Sequence, residues 1–380
     1  MEKKINRSAE IEILKELKRS SGSHSPSPLE IESRLNRNPI KYDFCFLSNP
    51  YATDLVINEF HNRLSDRETI FKLLESYPAG TKYVASNISE FEGVPEQKIV
   101  VGNGAIQAIE WVCNGWGLKN LLIPTPTFSS YYEFLNGRHT FTDQFWLRGD
   151  LTADKLLALA KQHNADSILL ILPNNPTGES ISMSEYAQLV EGLGDLKLIV
   201  DESFCHFLDN YNEYRVVRES CRHRNIAFVK SMSKDFGIAG LRLGYLHTDD
   251  NNLLDYALQR TTWNLNNFSI LFSELLNKPE FAKNYQYARS KYLHSRFDFY
   301  EKLCHLDGIG VFPSQANFFL LSIPAELAPD LVYELLVDYG VYVRTMEDKI
   351  GLDASYIRVA ARREEENDIF LRAIKDILSL

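Results

Sequence analysis

The sequence predicts an α/β protein, a three-layer sandwich around a mostly parallel central sheet, joined to a smaller α+β domain. From about Gln97, short β-branched runs alternate with helical periodicity: Lys98-Ile99-Val100-Val101, Leu121-Leu122-Ile123, Ile168-Leu169-Leu170-Ile171-Leu172, Leu198-Ile199-Val200 and Ala227-Phe228-Val229. Near-continuous apolar strands separated by helices belong to a parallel sheet covered on both faces. After about Thr248 the pattern changes to a long helical stretch from roughly Asn266 to Cys304. Strand candidates follow at Phe318-Phe319-Leu320-Leu321 and Val341-Tyr342-Val343-Arg344. The closing helix carries Ile369, Phe370, Ala373, Ile374 and Ile377 on one apolar stripe.

At the amino end, Glu10-Ile11-Glu12-Ile13-Leu14-Lys15 reads as a short amphipathic helix. Ser20-Ser21-Gly22-Ser23-His24-Ser25-Pro26-Ser27-Pro28 then reads as a flexible joint. The expected division is an arm over 1–40, a segment over 41–70 packing with the small domain, a large domain over 71–265 and a small domain over 266–380.

A chain of 380 residues with 44% hydrophobic and 24% charged residues has ordinary globular composition, which argues against disorder. Fifty-one acidic against 41 basic side chains leave a net charge of −10, the wrong sign for holding nucleic acid or an anionic membrane. The cysteines Cys45, Cys113, Cys205, Cys221 and Cys304 are scattered without metal-like spacing, so no metal site is expected. The amino end lacks the apolar core of a signal peptide, and no apolar run approaches the about 18 residues needed to span a bilayer. A cytoplasmic location is expected.

In open α/β sheets, ligands bind beyond the carboxyl ends of the strands. After Val101 comes Gly102-Asn103-Gly104-Ala105, where glycine lets backbone amides approach an anion at a helix start; a tight turn alone would explain it equally well. After Leu172 comes Pro173-Asn174-Asn175-Pro176-Thr177-Gly178, a turn that aims an amide off the sheet edge. After Val200 comes Asp201, for which a helix cap is the plainer explanation. After Lys230 comes Ser231-Met232-Ser233-Lys234, with Arg242 eight residues beyond the lysine and glycines between. Together these groups have complementary chemistry. A lysine forms a Schiff base with an aldehyde, a carboxylate keeps a pyridine nitrogen protonated, and serines with an arginine hold a phosphate monoester.

On these motifs the chain, from about Asp43 onward, resembles the fold-type I pyridoxal-phosphate enzymes of the class I/II aminotransferase family. Histidinol-phosphate aminotransferases and threonine-phosphate decarboxylases are the nearest branches. The resemblance implies the pyridoxal-phosphate-dependent transferase fold and pyridoxal 5'-phosphate as cofactor. It implies Lys234 as the Schiff-base lysine and general base, and Asp201 as partner of the ring nitrogen. Asn175 would meet the ring hydroxyl and Phe128 would stack on the ring. Gly104, Ala105 and Ile106 amides, Ser231, Ser233 and Arg242 would hold the phosphate. Tyr77, in Ser76-Tyr77-Pro78, would reach the neighbouring subunit's phosphate, implying a homodimer with shared active sites. Arg358, in Tyr356-Ile357-Arg358-Val359-Ala360-Ala361-Arg362, would anchor the substrate, helped by Arg344 and Asn49; Arg362 is a further candidate. For Arg344 and Arg362 a surface ion pair is an equal reading. His206, beside Phe207, reads as a packed rather than a catalytic histidine.

Many family members carry a tyrosine three residues after the aspartate, where this chain has Phe204. Threonine-phosphate decarboxylases resemble it there and in the Gly351–Arg362 segment. The Cα bond that breaks is the one held perpendicular to the cofactor ring. If Arg358 holds the carboxylate in the ring plane, Lys234 removes the Cα proton, giving transamination. If the arginines grip a side-chain phosphate instead, the carboxylate turns upright and leaves as carbon dioxide. Because transamination is the family's commonest activity, an aminotransferase acting on a small phosphorylated or carboxylate-bearing amino compound is expected, with a decarboxylase of an O-phospho-amino acid second. A regulator reusing this fold would need an amino-terminal DNA-binding domain, and the residues before Tyr42 show no helix-turn-helix spacing.

Overall fold

The computed structural model describes residues 6–143, 145–220 and 223–378, so Cys221 lies outside the described residues. The strands, in chain order, are β1 (Tyr42–Asp43), β2 (Ile99–Asn103), β3 (Leu121–Ile123), β4 (His139–Phe141), β5 (Ser167–Ile171), β6 (Lys197–Asp201) and β7 (Ile226–Ser231). They continue with β8 (Leu243–Thr248), β9 (Gly310–Val311), β10 (Phe318–Ser322), β11 (Val341–Tyr342), β12 (Arg344–Thr345) and β13 (Tyr356–Ala360). The chain forms two compact units, one of Met1–Leu47, Pro176–Gly178 and His294–Leu380, the other of Ser48–Asn175 and Glu179–Leu293.

The larger unit is built on a seven-stranded sheet in the order β2-β8-β7-β6-β5-β3-β4. β8 runs antiparallel to both neighbours, and every other pair is parallel. This is the expected mostly parallel sheet. Its central strands β5 and β7 are buried along their whole length, as strands covered on both faces must be. Val100, Leu169, Ile199 and Val229 face a core with Trp111 and Tyr131, while Leu170, Val200 and Phe228 face another with Tyr186 and Tyr214. A third core joins Ala52 and Val56 of the helix Pro50–Arg63 to Phe236, Ile270, Phe272 and Tyr285. Leu243–Thr248 was not expected as a strand, because its place lies inside the glycine-bearing motif rather than in an apolar run.

The smaller unit has a four-stranded antiparallel sheet, β12-β13-β10-β9, and a parallel β1–β11 pair. The closing helix Glu364–Leu378 buries Phe370, Leu371, Ala373 and Ile374.

The division differs from the expected one in four places. The segment over 41–70, expected to pack with the small domain, belongs from Ser48 onward to the larger unit, because Ala52 and Val56 bury in its core. The arm belongs to the smaller unit: Leu14, Ile31 and Leu35 share a core with Leu336 and Tyr342, and Arg7 pairs with Glu334 and Asp338 at 2.8 and 2.6 Å. The Ser/Pro stretch is held rather than flexible, because Lys18 Nζ donates to the Gly22 and His24 carbonyls at 2.9 and 3.2 Å and Tyr342 Oη donates to the Pro26 carbonyl at 2.8 Å. The long helical stretch splits into Asn267–Leu276 and Pro279–Leu303, and the unit boundary falls at 293/294 instead of 265/266, since Phe272, Leu275 and Phe281 pack in the larger unit's core.

Candidate active site

Sheet register gathers the motif residues of the larger unit at one edge. β8 opposes Gly244 to Gly102 on one side and to Ser231 on the other, so the ends of β2 and β7 flank the start of β8. Gly104 caps the helix Ala105–Gly115 at φ 78°, a left-handed conformation that glycine adopts without strain. A Cβ at Gly104 would stand 2.5 Å from Arg242 Nη2, and one at Gly244 would stand 2.5 Å from the Ala105 nitrogen and 2.7 Å from the Lys230 carbonyl. The glycines thus admit the Arg242 guanidinium and the β7 end to the amides of a helix start, an arrangement suited to a phosphate. Arg242 itself has φ 58°.

Lys234 lies in the one-turn helix Met232–Asp235, whose cap is Ser231: its Oγ accepts from the Ser233 amide at 3.3 Å. The Asn49 amide donates to the Lys234 carbonyl at 3.1 Å, and Asn49 Oδ1 accepts from the Tyr51 and Ala52 amides at 3.1 and 3.2 Å. Asn49 Nδ2 and Ser233 Oγ are buried and have no hydrogen-bond partner among the described residues. Buried polar atoms left in this condition are costly, and a bound ligand would satisfy them.

Asp201 ends β6 and is 4% exposed. Its Oδ2 accepts from Tyr131 Oη at 2.8 Å and its Oδ1 from the Ser203 amide at 2.9 Å. Burial pushes its carboxyl above the ordinary value against the pull of Ser203, Tyr131 and Lys230. A cationic ring nitrogen beside it would favour the charged form. Tyr131 and Ser203 escaped sequence reasoning, because nothing local ties Tyr131 to a residue seventy positions away.

Asn175 is 8% exposed and follows the cis Leu172–Pro173 bond. Its neighbour Asn174 fixes the turn: Nδ2 donates to the Pro126 carbonyl at 3.0 Å and the backbone amide to the Glu179 carbonyl at 2.7 Å. That bond ties the turn to the Pro126-Thr127-Phe128 loop, where Phe128 is partly buried against the core. Phe204 is buried, consistent with an apolar residue replacing a donor. His206 is buried between Tyr285 and Tyr211, with Nδ1 and Nε2 at 2.7 and 2.8 Å from their hydroxyls. Tyr77 is 76% exposed and lies against the Trp263 ring at 4.8 Å between centroids.

The substrate-binding candidates Arg344, Arg358 and Arg362 lie in the smaller unit. Arg344 and Arg358 stand directly opposite one another on β12 and β13, a repulsive register unless an anion relieves it. Arg344 pairs with Asp348 at 2.7 Å and donates to the Ser23 and His24 carbonyls at 2.9 and 3.3 Å. Lys349 joins it, 3.1 Å from Asp348 and 3.0 Å from the Ser23 carbonyl. Arg362 pairs with Glu366 at 3.1 Å, the ion-pair reading. Arg358 donates to the Cys45 carbonyl at 3.0 Å, and its guanidinium lies over the Phe318 ring. Burial, with Arg344 adding, pushes Arg358 down to about 10, and burial pushes Lys349 down to about 8.

The family model for aminotransferase class I and II matches residues 56–374. The chain belongs to that family. It is an enzyme of the pyridoxal-phosphate-dependent class I/II group, and its cofactor is pyridoxal 5'-phosphate. The helix-start amides with Arg242, the buried Asp201 and the unsatisfied Ser233 hydroxyl fit that cofactor. The chain is 36% identical over 372 residues to an L-serine phosphate decarboxylase of Campylobacter jejuni, covering 96% of this chain and 95% of that protein. It is 36% identical over 371 residues to the L-serine phosphate decarboxylase of Sulfurospirillum multivorans, covering 95% and 94%. A solved structure of a decarboxylase from Sulfurospirillum multivorans superposes with a TM-score of 0.88 at 35% identity, covering 97% of this chain and 96% of that one.

These matches overturn the aminotransferase expectation. That expectation rested on the family's commonest activity, and the motif residues around Lys234 serve both reactions; the substrate's pose, which selects the bond that breaks, is not written in them.

Proposed function

We propose that this enzyme decarboxylates an O-phospho-amino acid, with O-phospho-L-serine as the first candidate. The observation that carries this reading is the similarity, along nearly the whole chain, to two L-serine phosphate decarboxylases. The cationic cluster of the smaller unit supports it. Lys349 and Arg358 are held below their ordinary values by burial, so their charge is costly in the folded protein, and a phosphate dianion would offset that cost. In this reading Arg358 takes the phosphate, while Arg344 is already engaged by Asp348 and Arg362 by Glu366.

Pyridoxal phosphate, when bound, accepts the electron pair left on the α-carbon as a bond to it breaks. The Gly104, Ala105 and Ile106 amides, Ser231, Ser233 and Arg242 would hold its phosphate, Asn175 its ring hydroxyl, Asp201 its ring nitrogen, and Phe128 its ring face. Asp201, fixed by Tyr131 and Ser203, holds a negative charge where the ring nitrogen's proton must stay. Lys234 Nζ returns a proton to the carbon that has lost carbon dioxide. Arg358 orients the substrate through the phosphate, leaving the carboxylate free to stand upright.

A homodimer belongs to the same proposal. The helix Arg67–Glu75 buries none of its side chains, and Ile70, Phe71, Leu74 and Tyr77 are all exposed. A second copy would cover that surface, with Tyr77 of the partner subunit completing the phosphate site.

The test is a product assay with O-phosphoserine and no 2-oxoacid. Equal amounts of carbon dioxide and ethanolamine phosphate are expected. Turnover that requires a 2-oxoacid and releases no carbon dioxide would reject the reading.

A further inference from the structure

The turn that carries Lys234 has little stability of its own. A four-residue helix fixes several backbone dihedrals for a single hydrogen bond, so its shape is imposed from outside. What imposes it lies behind the turn, in a buried network that no cofactor contact requires. Lys230, on β7 just before the turn, and Asp235, the turn's last residue, are both 0% exposed and form an ion pair. Lys230 Nζ also donates to the Glu202 carbonyl at 3.1 Å and to Cys205 Sγ at 3.4 Å, so its three donors point in three fixed directions. His206 Nδ1 stands 3.5 Å from Asp235 Oδ2, and His206 is itself held by Tyr285 and Tyr211. The next residue, Phe236, packs its ring 4.4 Å from that of Tyr285 and 5.2 Å from that of Phe272.

Stability alone does not account for this pair. Removing two charges from water costs about as much as their attraction returns, and an apolar pair of similar volume often serves stability equally well or better. An ion pair supplies direction. Lys230 and Asp235 bracket the turn five residues apart, so their bond closes its two ends on one another.

We propose that Lys230 and Asp235 are positioning residues: their ion pair clasps the ends of the turn and fixes the direction in which the Lys234 amine leaves it. The inference rests on Lys234 being the cofactor-bonding lysine.

The test uses the holoenzyme and the double variant Lys230→Met/Asp235→Leu, which removes both charges together and leaves neither one buried alone. It should melt near the wild-type temperature and still fix the cofactor on borohydride treatment. Its kcat should fall about tenfold or more, the scale of a misplaced reacting group, while KM changes by less than about twofold. The pH midpoint of the bound cofactor's visible band should move by about half a unit or more. A double variant with wild-type kcat and an unmoved midpoint would show that the pair only fills space.

If the double variant does not fold, Lys230→Arg, which keeps the charge balance but changes the length and direction of the pair, is read by the same kcat and midpoint. Hydrogen exchange of the wild type gives a reading free of any substitution: the Phe236 and Ile238 amides, which donate to the Met232 and Ser233 carbonyls, should be protected like β7. Exchange at the rate of an open loop would overturn the clasp. Failure of the underlying assignment looks different: Lys234→Ala would still fix the cofactor.

Discussion

The strand ends of the larger unit and the arginine cluster of the smaller one hold their charges in opposite ways. Behind Lys234 each buried cation has a carboxylate of its own: Lys230 has Asp235, and Arg218 has Glu202 at 2.6 Å. His206 stands 3.5 Å from Glu92, whose carboxyl is buried yet held down at about 2, chiefly by His206. In the smaller unit, Lys18, Arg344 and Lys349 converge on the single carboxylate Asp348 and otherwise on backbone carbonyls of the arm. A framework that positions a reacting group is balanced before any ligand arrives. In the proposed reading, a cluster built to take a phosphate dianion holds several cations close together, a cost in stability that the ligand would offset.

The largest expected effect breaks the first region. Lys234→Ala should lower turnover by about 10²–10⁴-fold, the range for losing a positioned proton carrier, and should abolish borohydride fixation of the cofactor. Arg358→Met addresses the second region. It should lower kcat/KM for O-phosphoserine by about 10- to 100-fold, corresponding to about 1.5–3 kcal/mol for a hydrogen bond to a charged group, mostly through KM. Arg362→Met, which removes a partner of Glu366, should change it far less.

The pH dependence of stability separates the two regions by window: both contributions rise with pH, one in acid and one in base. Glu92 has a folded value of about 2, below its ordinary 4.5, so its ionised form stabilises the fold above pH 4.5. That contribution, about 3 kcal/mol from the shift, should disappear as pH falls from 4.5 towards 2, and Glu92→Gln should flatten the acid limb of a denaturant-midpoint titration. Lys349 acts in a basic window, and there it is the charged form that burial makes costly. Its folded value of about 8 lies below 10.5, so between those values the unfolded chain holds more protons and stability should rise with pH. Lys349→Met should remove that rise. Saturating O-phosphoserine should reduce it too, by keeping Lys349 protonated.

The parts legible in the sequence are those that short stretches encode. The alternation of apolar runs with helices gave the parallel sheet, and the segment from Ser231 to Tyr245 carries its lysine, serines, glycines and arginine within fifteen residues. What escaped depends on partners far apart in the chain: Tyr131 on Asp201, Asn174 on the Pro126 carbonyl, and His206 among Tyr211, Tyr285 and Glu92. The Ser/Pro stretch looked flexible because its own side chains bury little, yet its carbonyls are held by Lys18, Arg344 and Lys349. The reaction type escaped for another reason. Lys234, Asp201 and Arg242 are common to both chemistries, and the choice between them lies in the orientation of a substrate that no motif spells out.

That choice is tested most directly with O-phosphoserine carrying deuterium on its α-carbon. Decarboxylation breaks the bond to the carboxylate and leaves the Cα–deuterium bond intact, so the amine product should retain the label and gain one proton from solvent. Loss of the deuterium to solvent, with the carboxylate kept in the product, would contradict the proposed function.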